Sequence, residues 1–353
     1  MERVMSVLAS QLAERGNDVI VTMNRNLVGY HIDPRVTLRW ASNSKDFTGK
    51  ESFIRKNIKH FYNKVIYDKH IAREIKQLRP DIVISFMNCY SSIVFNHGKV
   101  PIVNSERNCL DRKNNLWEKF NRFFMNRFFD KVVVLSRHDK VYSSRWLKNT
   151  VVIPNPLSFT PLTEVEYKDS FTRRKNILAC GRLDEPVKGF DGLIKAFASI
   201  ADKYPDWTID IAGGGKDKNL YNYQRIARQC GIEKQVIFLG HCSDVKGEME
   251  KHSIFVLSSQ REGFPNVLTE AMSLGCACVA YDCITGPGEI IVDTIDGLLV
   301  ENQNILKLAQ ALSVLIENEE LRYNLGKRAI EDVKRFSRDR VVNQWEEMIK
   351  SII

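Results

Sequence analysis

Short apolar runs recur along this chain at intervals that leave room for a helix between one run and the next. Three of them are residues 81–86 (DIVISF), 131–135 (KVVVL) and 176–180 (NILAC). Runs rich in β-branched residues that alternate with helical segments are typical of a parallel sheet with helices on both faces. The sequence therefore predicts an α/β protein with doubly wound sheets. Further runs of the same kind lie at 19–23, 36–40, 100–104, 151–153, 207–212, 235–239, 254–257 and 277–281.

The length of 353 residues is enough for about two domains, each with its own core. The polar segment 158–175 contains Pro161 and has no clear hydrophobic period, so we predict that it links them. Helical apolar spacing at 2–13 precedes the first strand-like run. A doubly wound domain should begin with a strand, so we expect the chain to start inside its first βα unit.

The positive charge is concentrated in the first half of the chain. Residues 1–150 hold 27 Lys and Arg against 14 Asp and Glu, a net of +13, whereas the remainder holds 25 against 29, a net of −4. A basic half indicates an anionic partner, which is a membrane leaflet, an anionic acceptor or a nucleic acid. No motif for nucleic-acid recognition accompanies it, so we expect no nucleic-acid partner.

Aromatic and basic residues interleave at 112–129 (RKNNLWEKFNRFFMNRFF), and two interpretations stay open. One is an amphipathic helix whose aromatic stripe packs in the core. The other is a helix that lies on an anionic leaflet. Phe123 and Phe129 fall off the helical stripe, whose members are Trp117, Phe120, Phe124 and Phe128. No run of 18 or more apolar residues, as a membrane-spanning helix requires, occurs in the sequence.

Residues 258–275 (SSQREGFPNVLTEAMSLG) follow a short apolar strand and carry the densest signal for chemistry. Proline suits the first turn of a helix and glycine the position just past its end, so Pro265 and Gly275 bound a short helix. The backbone amides at 263–267 then belong to a helix N-terminus, which is a seat for phosphate. Glu262 and Glu270 stand on either side of that seat, where carboxylates can hold the hydroxyls of a nucleotide sugar.

With these two glutamates, which match the pattern E-x7-E, the chain resembles the retaining glycosyltransferases of family 4 (glycosyl transferases group 1), of the bacterial surface-polysaccharide type. The resemblance extends over nearly the whole chain. It implies the GT-B fold, in which two Rossmann-like doubly wound domains face each other across a cleft. It also implies an acceptor-side domain at 1–156, a donor-binding domain at 157–337, and a last helix at 338–353 that packs back on the first domain. The other matching segments are GRL at 181–183 with KG at 188–189, IPNP at 153–156, GPGEII at 286–291 and DGLLV at 296–300.

Arg182 and Lys188 follow the strand at 176–180, at the edge where open α/β sheets bind ligands. Fixed cations there stabilise the negative charge that a departing diphosphate gains, so we expect neither a metal ion nor another cofactor. The resemblance implies that Glu262 acts with these cations in catalysis by holding the donor sugar, and that Glu270 accepts hydrogen bonds from the ribose. The other predicted donor-binding residues are Gly263, Phe264, Pro265, Asn266, Val267, Gly214 and Gly240.

Three polar side chains of the first domain follow predicted strands and are acceptor-side candidates: Glu106, Arg107 and His138. Many relatives carry Ser-Glu-His where this chain has Ser105-Glu106-Arg107. Arginine does not act as a base at neutral pH, so we expect Arg107 to bind a phosphate instead. In a retaining front-face substitution the leaving phosphate oxygen takes the acceptor's proton, so the reaction does not require a separate base.

The resemblance implies transfer of a hexose or N-acetylhexosamine from a nucleotide sugar, with UDP as the expected carrier. The implied acceptor is a saccharide, free or linked to polyprenyl diphosphate, in surface polysaccharide biosynthesis. We expect a cytoplasmic protein with a peripheral contact to the anionic inner face of the plasma membrane. Two alternatives stay open: an epimerase or hydrolase of nucleotide sugars on the same fold, and an inactive protein that binds sugar nucleotides.

Overall fold

The computed structural model describes residues 2–23, 31–40, 71–86, 99–111, 123–171 and 174–353. The chain divides into two compact units. The first comprises Met1–Pro156 together with Arg338–Ile353, and the second comprises Leu157–Ser337. Each unit is described separately below.

All strands named in the described residues belong to parallel sheets, which confirms the predicted α/β architecture. The first unit has a two-stranded sheet, β1-β2, and a four-stranded sheet, β3-β4-β5-β6; the second has a six-stranded sheet in the order β12-β11-β10-β7-β8-β9. The strands are β1 Ile20–Met23, β2 Thr37–Trp40, β3 Val83–Ser85, β4 Ile102–Ser105, β5 Lys131–Val134, β6 Thr150–Val152, β7 Arg174–Cys180, β8 Thr208–Ala212, β9 Val236–Gly240, β10 His252–Leu257, β11 Ala277–Asp282 and β12 Leu298–Glu301.

Helices connect most of the consecutive strands, as a parallel sheet requires. None of the described helices is long and apolar enough to cross a membrane. The α-helices with assigned bounds are α1 Glu2–Glu14, α2 Arg137–Ser144, α3 Glu164–Ser170, α4 Phe190–Ala198, α5 Asp217–Gln229, α6 Val245–Lys251, α7 Asn266–Ser273, α8 Pro287–Ile290, α9 Ile305–Glu317, α10 Glu319–Val333 and α11 Arg338–Lys350.

Both faces of each larger sheet are covered by apolar side chains. In the first unit, Leu8 of α1 and Trp345 of α11 pack with Val133 of β5 on one face. In the second unit, α4 and α9 cover one face of the six-stranded sheet, and α7 and α10 cover the other. The strands therefore hold their carboxyl ends, where ligands of such sheets bind, at a fixed edge.

The prediction that residues 158–175 form an interdomain linker is wrong. The segment contains α3, whose first turn is closed by a capping box between Thr163 and Glu166. Tyr167 is almost fully buried in the second unit, and its hydroxyl donates to the carbonyl oxygen of Tyr323 at 3.0 Å. A seven-residue helix is too short to show hydrophobic periodicity, so one buried aromatic residue was not enough to reveal it.

Of the two interpretations left open for residues 112–129, the one in which Phe124 and Phe128 pack in the core is wrong, because both side chains are exposed. Phe129 is buried instead, and Phe123 packs against the same apolar cluster, next to β5 and β6. Helical spacing of the aromatic residues therefore did not indicate which of them are buried. Trp117 and Phe120, the other members of the stripe, lie outside the described residues.

A buried ion pair joins three strands of the second unit. The His252 Nε2 atom lies 3.0 Å from Oδ2 of Asp210, which also accepts a hydrogen bond from Asn176 at 3.2 Å. The other ring nitrogen of His252, Nδ1, lies 2.5 Å from the carbonyl oxygen of Glu248. Burial opposes ionisation of Asp210, but the hydrogen bond and charge of His252 outweigh it and lower the pKa of the carboxyl.

We expect Asp210→Asn to lower the free energy of unfolding at pH 7 by about 3 kcal/mol, since losing one charge of a buried pair is costly. Urea denaturation monitored by circular dichroism measures this. The lowered pKa means that the carboxylate stabilises the fold above the unfolded-state value of about 4, and that this contribution is lost as the pH falls through the folded-state value.

The difference in the free energy of unfolding between Asp210→Asn and the wild type should therefore become smaller below about pH 4. Asp206→Asn is the matched control, because Asp206 is exposed, and we expect it to change stability by less than about 0.5 kcal/mol. Equal losses in the two variants would contradict this account.

Candidate nucleotide-sugar site

The six-stranded sheet contains a point at which the direction of strand addition reverses. From β7 the chain adds β8 and β9 on one side, then returns to place β10 on the other side of β7. The helices that follow β7 and β10, α4 and α7, cover opposite faces of the sheet, and such a point opens a crevice at the carboxyl edge where α/β proteins bind ligands.

Lys188 and Glu262 meet at this crevice. The Lys188 Nζ atom lies 2.9 Å from Oε1 of Glu262, although the two residues are 74 positions apart in the chain. Their side chains are only 18% and 12% exposed, so water screens this pair much less than a surface pair. The site therefore holds a cation and an acid side by side at the edge of the sheet.

Two hydroxyl groups that the sequence analysis missed hold this pair in place. The Ser258 hydroxyl donates to the carbonyl oxygen of Lys188 at 2.8 Å, and the Thr285 hydroxyl donates to the carbonyl oxygen of Glu262. Both residues are buried. The only sequence signal was their position just after apolar strands, since small hydroxyl residues are common in turns for many reasons.

Gly189 allows the loops after β7 and β10 to lie in contact. It has a φ of +67°, and a Cβ atom built there would lie 2.2 Å from the carbonyl oxygen of Ser258. Only glycine fits such a close approach with a left-handed backbone.

Helix α7 begins at Asn266, directly after Pro265, and ends as predicted. Gly275 follows the helix with a φ of +70°. Its amide donates to the carbonyl oxygen of Met272, and the amide of Cys276 donates to the carbonyl oxygen of Ala271. These two hydrogen bonds form a Schellman motif. No described side chain caps the start of this helix. The predicted phosphate-seat residues Gly263, Phe264, Pro265, Asn266 and Val267 form the preceding loop and the first turn.

Glu270 lies in the second turn of α7 with a side chain that is almost completely buried. An ordinary helical glutamate points into water, because burying a carboxylate is expensive. A buried carboxylate at this position therefore indicates a specific interaction instead of contact with water.

Phe264, in the loop before α7, is half-buried. Its ring packs edge-to-face against that of Phe336, with 5.4 Å between the ring centroids.

Arg182, the other predicted cation, lies apart from the ion pair. Its side chain is 78% exposed and makes a surface pair with Glu185 at 3.1 Å. The structure thus brings together two of the three predicted catalytic residues, Lys188 and Glu262. Arg182 remains on the same loop, with the freedom of an exposed side chain.

Backbone hydrogen bonds join the glycine loop after β8 to the end of β9 on one side and to the loop after β7 on the other. The amide of Gly213 donates to Gly240 at 2.7 Å, and that of Leu183 donates to Gly214 at 3.0 Å. A Cβ atom on Gly213 would lie 1.7 Å from the carbonyl oxygen of Gly181, so Gly213 is the position where a side chain does not fit. Of this glycine run, only Gly214 was predicted to bind the donor.

Arg107 of the first unit lies between two aromatic rings. Its guanidinium carbon is 4.8 Å from the Phe86 ring centroid and 5.9 Å from that of Trp345, and one nitrogen donates to Asn155. Burial lowers the pKa of this guanidinium to about 9, which leaves it charged at neutral pH. Arg107 is therefore a cation there, as expected, and not a base.

The remaining acceptor-side candidates have different surroundings. Glu106 is buried, and its Oε1 atom accepts hydrogen bonds from Asn104 at 3.3 Å and Asn126 at 3.2 Å. The His138 Nε2 atom lies 3.7 Å from a carboxylate oxygen of Asp111 in a partly exposed pair. Glu106 is thus part of an internal polar network, whereas His138 is close to solvent.

Residues 164–332 match the family described as glycosyl transferases group 1. This segment contains Lys188, Glu262 and Glu270. This match agrees with the predicted resemblance at the level of glycosyl transferases group 1. The fold is that of the GT-B glycosyltransferases.

Relatives and solved structures agree with this class. An uncharacterized glycosyltransferase of Haemophilus influenzae is 26% identical over 361 residues, which cover 98% of this chain and 94% of the relative. The Campylobacter jejuni GalNAc-alpha-(1->4)-GalNAc-alpha-(1->3)-diNAcBac-PP-undecaprenol alpha-1,4-N-acetyl-D-galactosaminyltransferase is 28% identical, with 80% of this chain and 78% of the relative covered. The structure of Anabaena HepE in complex with UDP and glucose has a TM-score of 0.77 at 17% identity, covering 99% of this chain and 95% of that one.

We expect Gly189→Ala to destabilise the protein by at least about 2 kcal/mol more than Gly231→Ala, because only the first adds a clash with backbone. Gly231 also has a positive φ, +73°, but a Cβ atom there would meet nothing within 4 Å. The free energies of unfolding of the two variants measure the difference. Similar losses of unfolding free energy in the two variants would mean that the contact between the loops after β7 and β10 does not require glycine at position 189.

Proposed function

We propose that this protein is a retaining, metal-independent glycosyltransferase that transfers a hexose or N-acetylhexosamine from a UDP-sugar. The proposed acceptor is a hydroxyl group of a saccharide, free or linked to polyprenyl diphosphate, in surface polysaccharide biosynthesis. The observation that carries the proposal is the partly buried pair of Lys188 and Glu262 at the reversal point of the sheet. The lipid-linked form of the acceptor is suggested by the undecaprenol-linked substrate that the name of the Campylobacter relative states.

The proposed role of Lys188 follows from where charge develops in the reaction. As the bond between the sugar C1 atom and the phosphate oxygen breaks, the departing diphosphate gains negative charge. A cation already fixed at that place stabilises the transition state more than the ground state. Arg182, exposed on the same loop, is proposed to close on the same diphosphate, and the amides at the start of α7 to add neutral donors.

The two glutamates are proposed to hold hydroxyl groups on either side of the diphosphate. Glu262 lies beside Lys188 and would accept hydrogen bonds from the donor sugar, whereas buried Glu270 would accept them from the ribose. A buried carboxylate that gains two hydroxyl donors offsets its desolvation cost.

Retention is proposed to proceed by substitution on one face of the sugar. The acceptor oxygen forms a bond to C1 on the side from which the phosphate oxygen leaves, and the acceptor proton passes to that phosphate oxygen. Arg107 stays charged and takes no proton in this scheme. Its proposed role is to bind an anionic group of the acceptor.

We expect Lys188→Ala to reduce transfer by about 100-fold, the usual effect of removing one electrostatic stabiliser of a developing anion. A panel of UDP-hexoses and UDP-N-acetylhexosamines, incubated with lipid-linked and free saccharides, provides the assay. Product formation and the anomeric configuration of the product are read by NMR. Lys195→Ala is the control, because Lys195 is exposed on α4 of the same domain, and it should keep wild-type activity.

The same assay separates the alternatives. An inactive binding protein would bind UDP and release none from a donor, and an epimerase would interconvert the donors without forming a glycoside. A product of inverted configuration, or full activity in Lys188→Ala, would contradict the proposal.

We expect Glu262→Gln to bind UDP about fivefold more tightly, a gain of about 1 kcal/mol, while sugar transfer falls. The physical reason is that the Glu262 carboxylate, 2.9 Å from Lys188, competes with the diphosphate for the ammonium group. UDP lacks the transferred sugar that Glu262 is proposed to hold, so UDP loses no contact to residue 262 in the variant. Isothermal titration calorimetry with UDP measures the affinity.

Glu185→Gln is the matched control, because Glu185 pairs with the exposed Arg182. Exposed pairs contribute little, so this variant should change UDP affinity by less than about twofold. Unchanged affinity in Glu262→Gln would show that the ion pair does not compete with the ligand.

A further inference from the structure

The first unit exposes large aromatic rings close together in the chain. Phe124, Phe128 and Trp146 are 42%, 57% and 41% exposed. Large apolar side chains are normally buried, and a single exposed one needs no explanation, but several rings in one place indicate an interaction surface. These three are the exposed phenylalanine and tryptophan side chains of the residues that the structure describes.

Contacts between rings bring the two segments that carry them together. The Phe123 ring lies 4.4 Å from the ring of Trp146 and 6.1 Å from that of Tyr142 on α2. Phe124, next to Phe123, packs edge-to-face on Phe128 at 5.4 Å. The exposed rings thus occupy neighbouring parts of one surface instead of distant loops.

Positive charge accompanies these rings. Arg127, Lys140, Arg145 and Lys148 are all exposed, and they lie among the aromatic residues in the chain. Of the two acids between 123 and 148, Asp139 is buried and only Asp130 is exposed. The segments that carry the exposed rings therefore also carry an excess of exposed positive charge, in the half of the chain with a net charge of +13.

We propose that this surface, which we call the aromatic–basic patch (Phe124, Arg127, Phe128, Lys140, Arg145 and Trp146), docks the protein on an anionic phospholipid membrane. Tryptophan and phenylalanine enter the headgroup region, and each nearby lysine or arginine gains about 1 kcal/mol from an anionic leaflet. A soluble polyanion without aromatic groups, such as heparin, would use the cations but would gain little from exposed apolar side chains.

The patch deepens the proposed function, since a polyprenyl-linked acceptor lies in such a membrane and docking brings the enzyme to it. Vesicle binding requires no donor and no turnover, however. The membrane contact and the sugar transfer can therefore fail independently of each other.

The experiment is co-sedimentation of the full chain with vesicles of phosphatidylcholine alone and of phosphatidylcholine with phosphatidylglycerol. We expect at least tenfold tighter binding to the anionic vesicles, with a marked decrease at high salt. Phe128→Ser/Trp146→Ser should weaken that binding at least tenfold, and Arg127→Gln/Arg145→Gln should weaken it similarly. Thermal unfolding of each variant verifies that it is folded.

A matched control comes from the second unit. Tyr221 is 58% exposed and lies 5.6 Å from the guanidinium of Arg228, so it is also an exposed aromatic residue with a cation beside it. Tyr221→Ser/Arg228→Gln should bind vesicles as the wild type does. Transfer to a water-soluble saccharide should be unchanged in the patch variants.

Equal binding to neutral and anionic vesicles would overturn the proposal, as would wild-type binding by the serine variant. Binding to a soluble polyanion such as heparin that the serine variant retains in full, without binding to vesicles, would assign the patch to a soluble partner. Loss of binding in the Tyr221 control as well would show that general surface charge is responsible.

Discussion

The ion pair between Lys188 and Glu262 exists because β7 and β10 are neighbours in the sheet. The chain adds two strands on one side of β7 before it returns to the other side, so the loops that follow β7 and β10 start next to each other. Two hydroxyl groups and one glycine of the second unit support the contact between these loops. The hydroxyls of Ser258 and Thr285 fix the backbone that carries the two charges, and Gly189 lets the loops touch.

The pair also offsets the cost of its own burial. A lysine and a glutamate that are both mostly buried would each be costly alone, and together they offset part of that cost. In the proposed reaction, a diphosphate that binds Lys188 would exchange with the Glu262 carboxylate. That carboxylate would then be available to the sugar that the diphosphate carries.

The two units place their polar groups differently. In the second unit the buried pair of Asp210 and His252 lies within the strands and stabilises the fold, away from the loops that carry the site. In the first unit the charged Arg107 lies at the end of a strand, between the rings of Phe86 and Trp345. Trp345 comes from α11, so a helix at the far end of the chain completes the surroundings of a residue near position 100.

The sequence by itself determined the α/β class, the end of α7 at Gly275 and the resemblance of the second unit to glycosyl transferases group 1, because strand runs, turn glycines and E-x7-E are local patterns. It did not determine that α3 is a packed helix, that Phe124 and Phe128 face solvent, or that Ser258 and Thr285 support the site. Tertiary structure decided these, since the covered face of a helix and the partners of a hydroxyl depend on strand order. That order brings together residues as distant as Lys188 and Glu262, which no local pattern relates.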